Sequence, residues 1–287
     1  TKSNISGEVK LLPFLTFKSS IALDLVRNQS DSFRPSYYLD GDEYSTYAGA
    51  SRSVANKDYW VFDNYLTYNQ KFDKHAVTAM VGTSAEKERY EEIYAYKEGQ
   101  VNNNPNQQII NAGTMNPAAS GYYATSTLNS YFGRVFYSFD NRYMITANIR
   151  WDGSSKFADG NRWGYFPSFS AGWVMSNESW MENTKNWMDF LKVRASWGQN
   201  GNENIGAYKY ASTYAFGDLG LYSFNNNKNG GTQGAYPSLL PNNEITWETS
   251  EQTNVGLDAR FLNGRLNANF DWYSKKTKDL LIDVPVS

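Results

Sequence analysis

Polar and apolar residues alternate along this chain with a period of two. From Tyr143 the odd positions read Tyr143, Ile145, Ala147, Ile149 and Trp151. The even positions around them read Arg142, Met144, Thr146, Asn148, Arg150 and Asp152. One face is apolar with a ring at each end, and the other is largely polar and charged. The same contrast sets Leu15, Phe17, Ile21, Leu23 and Leu25 against Thr16, Lys18, Ser20 and Asp24. It sets Leu191, Val193, Ala195 and Trp197 against Lys192, Arg194 and Ser196, and Val255, Leu257, Ala259 and Phe261 against Asn254, Asp258 and Arg260. It returns in Leu266, Ala268, Phe270 and Trp272 against Asn267, Asn269, Asp271 and Lys275. A period of two is that of a β-strand, whose successive side chains point to opposite faces. Helical periodicity is almost absent. The pattern predicts about ten strands, at 4–12, 15–27, 59–71, 75–89, 128–139, 142–152, 164–176, 190–199, 247–261 and 265–281.

The connections between these strands alternate in length. Tight ones fall at Leu12-Pro13-Phe14, Asp73-Lys74, Asp140-Asn141 and Asn263-Gly264. Long polar ones fall at 28–58, 90–127, 153–163 and 200–246, with runs such as Val101–Asn106 and Asn225–Gly231. The connection at 177–189 stands on the short side but is of medium length. It reads as a short amphipathic helix capped by Asn177 or Ser179. Alternating strands alone fit a soluble sandwich as well as a barrel in lipid. Short turns at one end and long loops at the other are the layout of an outer-membrane barrel, and a Greek-key sandwich has no reason to keep that parity.

Composition then narrows the function. The 287 residues carry a formal charge of −2, without the basic excess of a nucleic-acid binder. There is no cysteine, which excludes disulfides, thiol nucleophiles and cysteine zinc sites. His75 is the only histidine, so a catalytic triad or a multi-histidine metal site would have to be built around it. Aromatic residues make up 16% of a chain that is only 40% hydrophobic. No run approaches the ~20 apolar residues of a membrane-spanning helix. Spanning β-strands need no such run, because they alternate lipid-facing and lumen-facing residues. The opening Thr1-Lys2-Ser3-Asn4 has none of the features of an export signal, so either a signal has been removed or the chain begins inside something larger.

Six stretches in order carry a resemblance. They are Tyr131-Phe132-Gly133-Arg134 with Asn141–Ala147; Arg150-Trp151-Asp152-Gly153-Ser154-Ser155-Lys156-Phe157; Asn161–Trp173; Leu191–Asn202; Trp247–Asp258; and Lys275–Leu281. Together the chain resembles the SusC/RagA family of TonB-linked outer-membrane transporters of Bacteroidetes, most strongly over 128–282. The resemblance implies an all-β fold, an antiparallel transmembrane β-barrel of 22 strands, of which this chain supplies about ten. It implies short periplasmic turns, long extracellular loops, a separate plug in the lumen, a SusD-like surface lipoprotein as lid, and TonB as the energy source acting through the plug. Imported substrates would be oligosaccharides or peptides. Residues 1–287 would be part of the receptor barrel domain, with no plug, no TonB box and no terminal aromatic strand before Val284–Ser287.

Individual residues take roles in that frame. Tyr143, Trp151, Trp173, Trp197 and Trp272, with Phe139, read as rings near strand ends in the interfacial girdles of a barrel; the alternative is the core of a sandwich. Arg134, Arg142, Arg150, Asp152, Lys192, Arg194, Asp258, Arg260 and Asp271 read as lumen-facing charges, or as cross-strand pairs with no further role. Tyr122, Tyr123, Trp163, Tyr208, Tyr210, Tyr222, Asn200 and Asn202 read as loop rings and amides suited to stacking on sugars and hydrogen-bonding them, or as ordinary loop packing. His75 reads as a solvated turn residue. Asp152-Gly153-Ser154 and Asp159-Gly160-Asn161 read as turns, since calcium-loop spacing is not met. No catalytic residue, cofactor or metal site is implied. Two other functions compete: a complete small outer-membrane barrel enzyme, which needs acids, serine and histidine at the loop rim, and a soluble β-rich carbohydrate-binding module.

Overall fold

The computed structural model describes residues 1–222, 232–237 and 241–282. The Asn225–Gly231 and Val284–Ser287 stretches and the Tyr222 side chain lie outside the described residues. The strands are β1 (Lys2–Leu12), β2 (Leu15–Arg34), β3 (Tyr37–Tyr38), β4 (Tyr44–Ser45), β5 (Ala48–Phe72), β6 (His75–Gln100), β7 (Met115–Phe139), β8 (Tyr143–Ser154), β9 (Trp163–Val174), β10 (Met188–Asn202), β11 (Tyr214–Tyr222), β12 (Thr232–Pro237), β13 (Glu248–Phe261) and β14 (Leu266–Lys278). Ten of them form one sheet in the order β1-β2-β5-β6-β7-β8-β9-β10-β13-β14, so each pairs with its predecessor among the ten. The other four are two small hairpins, β3–β4 and β11–β12, inserted in long connections.

The four tight turns stand where the pattern places them. Asp73, Asp140, Asn141 and Asn263 adopt positive φ, at 49°, 51°, 53° and 57°. Short polar side chains tolerate this left-handed region, which tight hairpin connections use to reverse the chain. Four strands run further than alternation predicts: β2 on to Arg34, β5 back to Ala48, β6 on to Gln100 and β7 back to Met115. The added segments put polar residues in succession, as in Asn56-Lys57-Asp58 and Glu91-Glu92, so no period of two marks them. The 177–189 connection is a correction. It holds two 3₁₀ helices, Met175–Asn177 and Ser179–Thr184, rather than one helix capped by Asn177 or Ser179. Glu178 occupies the cap position of the second, and its extended backbone (ψ 147°) separates the two turns.

The chain divides into two compact units. The first comprises 1–5, 21–61 and 86–126. Charged pairs tie its strands: Arg27 to Asp58 at 2.5 Å, Arg52 to Asp31 at 2.5 Å, Lys57 to Glu88 at 2.7 Å and Arg34 to Glu98 at 3.0 Å. Hydroxyls join them: Ser53 Oγ donates to Glu92 at 2.8 Å and Tyr59 Oη to Glu86 at 2.6 Å. Its fully buried apolar side chains are only Ala48 and Ala50.

The second unit comprises 6–20, 62–85 and 127–287. Its core is a three-ring knot of Phe157, Phe166 and Trp247, backed by Leu128, Ile205 and Ile245. Trp247 lies 5.2 Å from Phe157 and 5.3 Å, edge-on, from Phe166. Trp247 Nε1 donates to the Arg162 carbonyl, and Asn161 Nδ2 donates to the Asn243 carbonyl. The knot thus ties the β8–β9 connection to the end of the β10–β13 connection. A Cβ on Gly164 or Gly201 would stand 2.5 or 2.1 Å from the Phe166 ring, so glycine at both positions makes room for it.

Candidate functional site

The second unit presents a wall with two chemically opposite faces. Strands β7, β8, β9, β10, β13 and β14 pair antiparallel, with one register shift, between Met188 and Phe190 at the start of β10. One row of facing residues reads Tyr137, Ile145, Ala171, Ala195, Val255 and Trp272. The next reads Phe139, Tyr143, Trp173, Val193, Leu257 and Phe270. These rows share one face, and it is open: Ile145 is 54% exposed, Ile149 53%, Phe169 53% and Phe270 66%. A sandwich core would bury them.

Apolar residues form a band on this face, and its edges cross the strands diagonally. The upper edge runs from Trp151 to Trp197 to Trp272. Trp151 faces Tyr165; four residues further along β9, Phe169 faces Trp197. Trp197 faces Thr253; two residues further along β13, Val255 faces Trp272. Six residues of descent over four strand steps is about 20 Å along the strands against about 19 Å across them, a slope of roughly 45°. Beyond that edge the outward residues turn polar, as Gln199, Glu251, Ser274 and Lys276. The lower edge descends the same way, from Trp173 to Leu191, which faces Ala259, and then to Phe261, which faces Leu266. Rings stack along both edges: Tyr143 on Trp173 at 6.2 Å, Trp151 on Tyr165 at 5.2 Å and Phe169 on Trp197 at 6.2 Å. Tyr143 and Trp151 open and nearly close β8, whereas Trp197 and Trp272 stand inside their strands and still mark the edge.

The opposite face is polar and its charges pair. Arg194 Nη2 reaches Asp271 at 2.7 Å and its Nε reaches Asp258 at 3.1 Å, bridging three strands. Arg150 holds Asp152 at 2.8 Å and donates to Ser130 Oγ at 2.9 Å. Arg260 meets Asp189 at 2.5 Å. Arg134 has no ion pair among the described residues; it lines a concavity of about 540 Å³ with Asn148, Arg150, Ser168, Phe166 and Asn200.

The β9–β10 connection is clamped to the lower edge by Glu178. Its carboxylate accepts from Tyr143 Oη at 2.6 Å, from Trp173 Nε1 at 3.0 Å and from Arg142 Nη1 at 3.0 Å. The hydrogen bonds from Tyr143 and Trp173 hold its pKa below the ordinary carboxylate value, and the Arg142 charge adds to this. The alternation did not single out this glutamate. Its signal was only a carboxylate next to a ring-bearing connection.

The loop candidates do not converge. Tyr122 and Tyr123 are consecutive residues of β7 in the first unit, so they point to opposite faces. Tyr122 packs on Tyr90, while Tyr123 lies under the Arg89 guanidinium and accepts a hydrogen bond from Thr125 Oγ1. Trp163 is a correction: it opens β9 rather than lying in a loop, and its ring sits with Trp151 at 5.0 Å and Tyr131 at 6.1 Å on the apolar face. Asn200 and Asn202 also belong to a strand, β10, and Asn202 Nδ2 donates to Glu248. Tyr208 is a loop residue, 43% exposed, with φ +64°. Tyr210 lies two residues on, half-buried. His75 opens β6 beside its tight turn, with Nδ1 2.7 Å from Tyr137 Oη and its ring against Phe139. That puts the sole histidine away from the loop ends of the strands.

The comparisons agree with this geometry. Residues 11–287 match the family model described as TonB dependent receptor-like, beta-barrel. The chain is 34% identical over 282 residues to TonB-dependent receptor P39 of Formosa agariphila, covering 97% of this chain and 26% of that protein. It is 32% identical over 294 residues to TonB-dependent receptor SusC of Bacteroides thetaiotaomicron, covering 99% of this chain and 27% of that protein. The structure of the RagAB peptide transporter superposes with a TM-score of 0.85 at 25% identity, covering all of this chain and 31% of that one. The chain thus spans about a quarter of the length of the relatives it matches. Its paired strands, alternating connections and outward apolar band are those of a barrel wall, and the chain belongs to the TonB-dependent receptor β-barrel family, among its SusC/RagA-like members.

Proposed function

We propose that this chain is part of the wall of a SusC-like, TonB-dependent transporter that imports oligosaccharides or peptides across the outer membrane. The diagonal apolar band carries the reading. A slope of about 45° is the strand tilt of an outer-membrane barrel, and nine residues of β8, from Tyr143 to Trp151, match the length that a tilted strand needs to cross. Tyr143, Trp151, Trp173, Trp197 and Trp272 are the interfacial rings of that band, and the paired charges of the other face line the lumen. The partners are a SusD-like lipoprotein over the long-loop end, TonB acting through a plug, and outer-membrane lipid. RagAB is named as a peptide transporter, which supports peptides as one class; the exposed rings of Tyr122, Tyr123 and Tyr208, suited to stacking on sugars, support oligosaccharides as the other.

Tyr122, Tyr123, Asn200, Asn202 and Tyr208 are the ligand-contact candidates; Trp163 moves from that set to the upper ring edge. The test is deletion of the encoding gene followed by parallel uptake assays with fluorescent oligosaccharides and fluorescent peptides. Loss of uptake of one class in the deletion strain, restored by the intact gene, is the expected result. Fractionation of the full-length protein with soluble proteins would overturn the membrane reading.

A further inference from the structure

The β9–β10 connection carries two tryptophans that the wall itself does not use. Trp180 is 58% exposed and Trp187 51% exposed. Each touches the lower edge of the apolar band at a different point. Trp180 sits edge-on to Trp173 at 6.3 Å, and Trp187 stacks on Phe261 at 6.0 Å. Trp173 and Phe261 are the start and the finish of the descending lower edge. The connection therefore runs along that edge and adds a further course of rings to it.

The segment is two-sided. Met181 and Met188 are buried against the protein, at 6% and 9% exposure. Glu182, Asn183, Lys185 and Asn186 face solvent between the two tryptophans. The placement is held from both ends. Glu178 fixes the first end through Tyr143, Trp173 and Arg142. The Leu262 amide donates to the Trp187 carbonyl at 3.0 Å at the second, where Leu262 itself is 53% exposed.

We propose that this connection is a membrane anchor, with Trp180 and Trp187 seated in the phospholipid headgroup layer at the short-turn side of the barrel. Indole suits that layer because its ring is apolar and its N–H finds a polar partner. A two-residue turn would end the apolar surface at the last strand pair. The clamped 3₁₀ segment prolongs it and sets a polar strip outside, which is the arrangement of an interfacial segment. The proposal rests on the membrane reading of the band. It adds a site to it: the occupant of this edge is lipid rather than a second protein.

Site-directed spin labelling tests it, since the chain has no cysteine of its own. In the full-length protein, with any cysteine outside this chain replaced by serine, nitroxides are placed singly by Trp180→Cys, Trp187→Cys, Asn183→Cys, Asn186→Cys and Ile149→Cys. The protein is reconstituted in phosphatidylcholine–phosphatidylglycerol vesicles, and collision rates with oxygen and with a water-soluble nickel chelate are measured. The expected oxygen-to-nickel ratio is several-fold higher at 180 and 187 than at 183 and 186. Aqueous ratios at 180 and 187 with a lipid ratio at 149 overturn the anchor alone; an aqueous ratio at 149 overturns the membrane reading beneath it. Shielding of 180 and 187 from both reagents means that protein covers the segment, which also overturns the proposal. Where a cysteine variant does not fold, quenching by brominated lipid serves instead: Trp180→Phe and Trp187→Phe each lower the quenchable fluorescence if the anchor is real and leave it unchanged if it is not.

Discussion

The two units of this chain are made of the same kind of strand and held by opposite chemistry. In the first unit, strands are tied by exposed charge pairs such as Arg27–Asp58 and Lys57–Glu88, and the buried apolar side chains are alanines. In the second, a ring knot closes the connections, an apolar band covers one face and the charges gather on the other. Backbone hydrogen bonding makes both into sheet. The difference lies in what each face meets. Surface charge pairs suit water on both sides, because they cost little there and contribute little. Outward side chains such as Ile145, Ile149 and Phe169, each more than half exposed, suit a medium that does not hydrogen-bond. The contrast teaches that a strand of this family is not uniform along its length: its side-chain chemistry reports its surroundings residue by residue.

The largest effect is expected at the knot. Phe166→Ala removes the ring that Trp247 meets edge-on, and core phenylalanine deletions cost about 3–5 kcal/mol. Denaturant unfolding of the full-length protein in lipid should show that loss, and limited proteolysis should show the β8–β9 connection opening first. A loss no larger than that of a first-unit charge variant would erase the distinction between the units.

Next comes the band. Ala147→Arg places a cation on the apolar face midway between Tyr143 and Trp151, where the cost in a bilayer is about 2–4 kcal/mol. Thr146→Arg, its neighbour on the polar face, should be nearly neutral. Equal effects of the two substitutions would mean that both faces are wet.

An intermediate effect is expected at Glu178, and it depends on pH. Its folded-state pKa is depressed by the hydrogen bonds from Tyr143 and Trp173. The stability it contributes is therefore complete above the ordinary carboxylate pKa of about 4.3 and is lost as pH falls through the lower folded value. Stability of the wild type should fall with acid more steeply than that of Glu178→Gln below that pH. Parallel curves would show that the clamp is dispensable.

The smallest effect belongs to the first unit. A double-mutant cycle on Arg27 and Asp58 should give a coupling of about 0.2–1 kcal/mol that shrinks as salt is raised. A larger, salt-insensitive coupling would make the first unit resemble the second.

Much of this was legible in the residues. The period of two placed all ten sheet strands, because each has at least one stretch with an apolar face. Asp140-Asn141 and Asn263-Gly264 announced their turns, because they tolerate positive φ. The polar ends of β2, β5, β6 and β7 were not legible. With polar residues on both faces, alternation vanishes and only pairing with neighbouring strands shows that the chain is extended. Trp163 was misplaced for a related reason: a ring after the turn-forming run Asp159-Gly160-Asn161-Arg162 looks like loop, and only its pairing with Gly153 shows that β9 has begun. Trp197 and Trp272 needed the register too, since each stands inside its strand and becomes an edge residue only relative to its neighbours. Glu178 gave no periodic signal at all. Its partners come from β8 and β9, and only folding brings Tyr143, Arg142 and Trp173 around one carboxylate.

By itself, the sequence determined the ten strands of the main sheet, the two-faced character of their apolar stretches and the alternation of short and long connections, because these follow from neighbours along the chain; the hairpins β3–β4 and β11–β12 fell in stretches that read as loop. The tertiary structure decided the register. It turned separate apolar stripes into one band with a diagonal edge, set the slope of that edge against the strands, and laid Trp180 and Trp187 along its lower margin. Those features depend on which residues face each other across strands, and hydrogen-bond pairing between segments distant in sequence is what sets that.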